Sequence, residues 1–210
     1  MPSHHTPQTL ARIAGLSPLP SEPGNAVLLM IDPQREYTTG LLPLQGVAAA
    51  VAEGARLLAF ARGAGIPVIH VLHHGRPGAA AFDPAGDGAR FIQELAPLDG
   101  ETVLIKSRPN AFADTDLTTR IRATGRAEIV IAGFATHMCV SATARSALDH
   151  GFRSTVVAGA TATRDLPHPF GAGIVSADII QAGTLAALSD RFSVVIQDTV
   201  ALSRQARRGP

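Results

Sequence analysis

The chain has one cysteine, one tyrosine and no tryptophan among its 210 residues. A lone cysteine cannot close an internal disulfide, so a hydrophobic core must hold the fold, and the free thiol suits a reducing, cytoplasmic setting. Neither sign of charge prevails: 18 Lys and Arg against 17 Asp and Glu give a formal net charge of +1. That balance offers no electrostatic attraction for nucleic acid or for an anionic membrane. No apolar run is long enough to cross a bilayer. The opening Met1-Pro2-Ser3-His4-His5 lacks the basic start and apolar centre of a signal peptide. With only eight Phe in a chain that is 46% hydrophobic, Ala, Val, Leu and Ile must fill the core. Such a filling suits helices packed on a parallel sheet. The length suits one domain spanning residues 1–210, with no internal repeat.

What is there is a regular alternation of strand and helix. Residues 1–24, rich in Pro, Ser and His, form an arm, with a short helix near Leu10–Ala14. Ala26–Ile31 is continuously apolar, as a strand covered on both faces should be. A helix from Val47 to Ala64 follows, stopped by Gly65. Further strands are expected at Pro67–Leu72, Thr102–Ile105, Glu128–Gly133, Ser154–Ala158 and Ser193–Ile196. Helices are expected at Arg90–Leu95, Thr115–Thr124, from Val140 onward, and at Ile174–Leu188. Two long polar loops, 73–88 and 159–172, separate them, and residues 203–210 read as a frayed tail. The alternation predicts a three-layer α/β/α domain around a mostly parallel six-stranded sheet, with right-handed crossovers. In such folds ligands bind outside the carboxyl ends of the strands.

Cys139 stands where the fourth strand turns into a helix. A helix N-terminus favours thiolate over thiol, whereas an isolated cysteine is most often a buried core residue, and position alone leaves both readings open. Two other reactive groups share its location. Asp32 follows the first strand and Lys106 ends the third, so all three project toward the same sheet edge. Taken singly, Asp32 is a strand-closing Asp-Pro turn and Lys106 a loop charge.

Three stretches carry a family resemblance: Leu28-Leu29-Met30-Ile31-Asp32-Pro33-Gln34; Lys106-Ser107-Arg108-Pro109-Asn110-Ala111-Phe112 running to Leu117; and Gly133-Phe134-Ala135-Thr136-His137-Met138-Cys139-Val140. In this order the chain resembles the isochorismatase-like cysteine hydrolases, which include nicotinamidases, over roughly residues 26–196. The resemblance implies a six-stranded sheet and an Asp32–Lys106–Cys139 triad. Cys139 would be the nucleophile, Asp32 the general base, and Lys106 the cation that holds both and stabilises negative charge. It further implies a cis peptide at Phe134–Ala135, with the backbone N–H groups of Ala135 and Cys139 as oxyanion donors, and assembly as a homodimer or homotetramer. Thr136 is either a hydrogen-bonding member of this turn or a plain helix-entry residue.

Gln34, Tyr37, His74, Phe82, His137 and Phe170 are candidates to line a pocket for a small-molecule substrate, and each also has an ordinary packing or solvent-facing explanation. Arg164 lies at the same edge, where it would hold a substrate carboxylate or a surface ion pair. Nicotinamidases carry a metal site built from an Asp-x-His pair and a later His. His70, His73 and His74 cluster here without that pair, so no metal and no other cofactor is expected. Gly63-Ala64-Gly65 and Gly171-Ala172-Gly173 lack the strand-first context of a dinucleotide site. The leading expectation is hydrolysis of a small amide or related C–N bond through a thioester. The alternatives are an inactive ligand-binding protein on the same fold, or vinyl ether hydrolysis of the isochorismatase type, which proceeds without the cysteine.

Overall fold

The computed structural model describes residues 6–206; the ends of the expected arm and tail, 1–5 and 207–210, lie outside the described residues. A four-residue helix α1 (Leu10–Ile13) precedes strand β1 (Ala26–Ile31). All six β1 side chains are at most 1% exposed. The larger ones each contribute about 1.5–3 kcal/mol by leaving water, so this strand is stable only with both faces covered. Helix α2 (Val47–Gly63) and strand β2 (Val68–His73) follow, then β3 (Thr102–Lys106), α3 (Leu117–Ala123) and β4 (Glu128–Phe134). Next come α4 (Ser141–Asp149), β5 (Arg153–Ala162) and a small hairpin of β6 (Leu166–Pro167) and β7 (Ile174–Val175). The described chain closes with α5 (Ala177–Arg191), β8 (Val194–Ile196) and α6 (Thr199–Ala206).

Six strands form one sheet in the order β3-β2-β1-β4-β5-β8, every pairing parallel. Period-two alternation splits β1 between two cores. Leu28 and Met30 pack with Leu57 and Leu58 of α2 and Leu202 of α6. Val27, Leu29 and Ile31 face Leu117 and Ile121 of α3, Ala144 and Ala147 of α4, and Leu188 of α5. The three layers and the parallel six-stranded sheet are those expected from the alternation in the sequence.

Four local expectations are corrected. Residues 90–95 are not a helix. Arg35 N–H donates to the Arg90 carbonyl and Ile92 N–H to the Pro33 carbonyl, which draws this stretch out beside 33–35 and leaves one 3₁₀ turn at Gln93–Leu95. Strand β5 continues past Ala158 to Ala162 through a register shift opposite Ile131 and Gly133. The helix expected from Ile174 starts at Ala177, because Ile174–Val175 pairs with β6 instead. The segment expected to fray contains the second half of α6, residues 203–206. Leu202 is fully buried, and the Glu53 carboxylate accepts from Thr199 N–H at 2.7 Å and Thr199 Oγ1 at 2.6 Å, docking the helix start on α2.

Candidate active site

The carboxyl ends of β1, β3 and β4 bring Asp32, Lys106 and Cys139 together. Asp32 leaves β1 with its N–H bonded to the Val71 carbonyl at 2.9 Å and φ of +45°. That left-handed conformation costs a non-glycine residue about 1–3 kcal/mol and must be enforced by its surroundings. Lys106 reaches across from β3, placing Nζ 2.7 Å from Asp32 Oδ2 and 3.2 Å from Cys139 Sγ. All three residues are buried. The Asp32–Lys106 contact is a close ion pair without hydrogen-bond alignment, so both carboxylate oxygens have acceptor capacity to spare among the described residues.

Cys139 sits in a wide turn, Thr136–Val140, in which Val140 N–H reaches back to the Ala135 carbonyl at 3.3 Å before α4 begins. Gly133 makes the turn possible. Its φ is +112°, and a Cβ there would collide with the Ile31 carbonyl of the neighbouring strand. The Phe134–Ala135 peptide is cis. The Ala135 N–H makes no backbone bond among the described residues, and the Tyr37 hydroxyl is its neighbour. Thr136 Oγ1 is buried without a partner, so it makes no hydrogen bond within the turn among the described residues.

Of the two readings open for Cys139, the electrostatics follow burial. Burial pushes the Cys139 thiol above its ordinary range, the Asp32 charge pushes it further, and Lys106 only partly offsets them. Burial likewise raises the Asp32 carboxyl, against the pull of Lys106. Desolvation wins because the turn encloses the sulfur. One ammonium thus faces two acids that both resist ionisation.

The pocket candidates separate into walls and supports. Tyr37 and Phe82 pack edge to face at 5.3 Å, and Tyr37 meets Phe134 at 5.9 Å, forming an aromatic wall. Burial, then the charges of Asp32 and Cys139, raise the Tyr37 phenol well above its usual range. Gln34 is fully buried and its amide is spent on backbone. Nε2 donates to the His73 and Ala89 carbonyls at 2.9 and 3.0 Å, and Oε1 accepts from His73 N–H at 2.8 Å. This corrects its expected role: Gln34 positions the end of β2 instead of touching substrate. His137 Nδ1 lies 2.5 Å from Thr163 Oγ1, and burial followed by the Arg164 charge lowers its pKa. His74 continues the β3 contact through its N–H to the Lys106 carbonyl. Phe170 is 90% exposed on the β6–β7 loop and meets the edge of His168, so it does not line a pocket within this chain.

Arg164 pairs with no acidic side chain among the described residues; its Nη1 donates to the Asp165 carbonyl at 3.3 Å. It lines a cleft of about 310 Å³ with Leu41, Leu42, Pro43, Gln45 and Asp165. A larger groove, about 920 Å³, runs between residues 7–18 and the amino ends of β5 and β8. It lies at the opposite pole of the sheet from the buried charges and holds no comparable constellation. The clustered histidines diverge. His70 points to the other face of β2, where Nε2 meets Glu101 at 2.8 Å, while His73 turns toward Lys106 at 3.4 Å. In the sequence His73 reads only as one of three clustered histidines, without its contact to Lys106. Its signal was register: it pairs directly with Lys106 across β2 and β3.

The sequence model of the isochorismatase domain matches residues 26–201. A secreted isochorismatase effector of Verticillium dahliae is 33% identical over 87% of this chain and 93% of its own. Maleamate amidohydrolase of Pseudomonas putida is 38% identical over 62% of this chain and 68% of its own. The crystal structure of an isochorismatase from Pseudomonas putida superposes with a TM-score of 0.88 at 41% identity, covering 94% of this chain and all of that one.

Proposed function

The chain belongs to the isochorismatase family, and within it we propose a cysteine hydrolase that opens a small-molecule amide through a thioester. Amidohydrolases among its relatives support hydrolysis of a C–N bond. The single observation that carries the finer reading is the position of Lys106 Nζ, 2.7 Å from the Asp32 carboxylate and 3.2 Å from the Cys139 sulfur in a sealed corner.

In this mechanism Asp32 takes the thiol proton as Cys139 Sγ adds to the substrate carbonyl carbon. The carbonyl oxygen becomes an oxyanion facing the N–H groups of Ala135 and Cys139. The C–N bond breaks as Asp32 returns the proton to the departing nitrogen, which leaves as ammonia or an amine. Asp32 then removes a proton from water, whose oxygen attacks the thioester. The acid leaves and the proton returns to sulfur. Lys106 remains charged throughout and offsets the negative charge that moves between carboxylate, sulfur and oxyanion.

The aromatic wall of Tyr37 and Phe82 suits a small planar acyl group. Arg164, without an acidic side chain to answer it among the described residues, suits a substrate with a carboxylate remote from the amide. Homo-oligomeric assembly and a cytoplasmic setting belong to the same proposal. A panel of carboxylate-bearing and neutral amides, assayed for ammonia or acid release beside Cys139→Ala, tests it. Turnover confined to the unsubstituted protein is expected; turnover that survives Cys139→Ala would remove the nucleophile.

A further inference from the structure

Lys106 carries three N–H donors, and its third neighbour is neither acid. His73 Nδ1 lies 3.4 Å from Nζ. Because an ammonium only donates, this contact makes Nδ1 the acceptor and assigns the ring proton to Nε2. Everything around His73 keeps that orientation. Its backbone N–H and carbonyl are both held by the Gln34 amide, and its ring stands edge-on to Phe82 at 5.1 Å.

We propose that His73 is a fourth member of the site, a positioning residue whose neutral ring holds the Lys106 ammonium in place between Asp32 and Cys139. This rests on the triad reading. Ions attract without regard to direction, so Asp32 alone would draw Nζ toward its own oxygens and away from sulfur. An acceptor on a third side fixes the rotation of the ammonium and keeps one N–H on Sγ. Burial, then the charges of Lys106 and His74, depress His73 to about 4, so the ring stays uncharged and accepting across the neutral range. A protonated ring would instead repel Lys106. The groups that face this ring are Lys106, His74 and the Phe82 edge.

The rate at which iodoacetamide alkylates Cys139 reads the support that Lys106 gives the sulfur without requiring any substrate. His73→Asn places an amide oxygen near the Nδ1 position; His73→Gln and His73→Phe leave that position empty while filling the space. Because the contact is charge-assisted but long, roughly tenfold slower alkylation is expected for the Gln and Phe variants. The Asn variant should react at nearly the parent rate. Equal rates in all four proteins would overturn the proposal, as would an Asn variant as slow as Phe. Thermal melting of each variant separates loss of fold from loss of positioning. Normal alkylation behaviour with no amide turnover would count against the proposed function and leave this inference standing.

Discussion

Lys106 and Asp32 form an ion pair of 2.7 Å with neither side chain exposed to solvent. Such a pair is costly to assemble and more costly to break, because removing one member strands the other.

Lys106→Met is therefore expected to destabilise the fold by about 3–5 kcal/mol. The loss should depend on pH. Asp32 already has a raised pKa in the folded protein, so the native state holds its proton more tightly than the unfolded chain does. The stability this contributes is present below the unfolded value of 3.8 and is lost as pH rises through the raised value. Without Lys106 the rise is larger, so denaturant melts should show the variant closest to the parent near pH 4 and furthest from it above pH 7.

Asp32→Asn should abolish hydrolysis while making the thiol easier to ionise. The Asp32 charge is the second cause of the raised Cys139 pKa, after burial, and Lys106 remains to favour a thiolate. Roughly tenfold faster alkylation of Cys139 at neutral pH is expected, about one pKa unit. Slower alkylation would mean that Asp32 assists the sulfur at rest, not only during attack.

Glu101 links two elements away from the site. It accepts from Arg62 at 2.8 and 2.9 Å and meets the buried His70 at 2.8 Å. The Arg62 hydrogen bonds hold its pKa at about 2, below the ordinary 4.5. A lowered carboxyl contributes stability above its unfolded pKa and loses it as pH falls through the folded one. Glu101→Gln should therefore cost about 2–3 kcal/mol at pH 7, less any screening at the part-exposed Arg62, and almost nothing near pH 2. Urea titrations at the two pH values check this.

Glu53→Ala removes the acceptor for both Thr199 donors. Each orphaned buried donor costs about 1–3 kcal/mol, so α6 should detach before the rest of the fold. Hydrogen exchange in residues 199–206 is expected to accelerate at least tenfold while β1 amides stay protected.

The alternation of apolar strands and helices made the layers legible in the sequence, since a strand such as Ala26–Ile31 has no stable home except between two helix layers. Three strand ends sharing one sheet edge put Asp32, Lys106 and Cys139 at one pole, and the family resemblance implied that they meet. What stayed hidden depends on partners distant in the chain. Gln34 looks like a pocket residue until the His73 and Ala89 backbone is seen to use its whole amide. Helix α6 has little intrinsic signal and is held by Glu53, some 146 residues earlier. Position left the thiol between an acidified helix-start cysteine and a buried core one; enclosure of the sulfur pushes its pKa up. His73 needed the β2–β3 register, which no local pattern reports.

The most direct measurement is the fate of the acyl group during turnover of a cleavable amide. Acid-quenched protein is digested and the Cys139 peptide weighed, while a parallel reaction contains hydroxylamine to intercept the acyl-enzyme. The account predicts an acyl mass on Cys139 or hydroxamate formed at the expense of the acid, and neither with Cys139→Ala. Sustained turnover with an unmodified Cys139 peptide and no hydroxamate would contradict it.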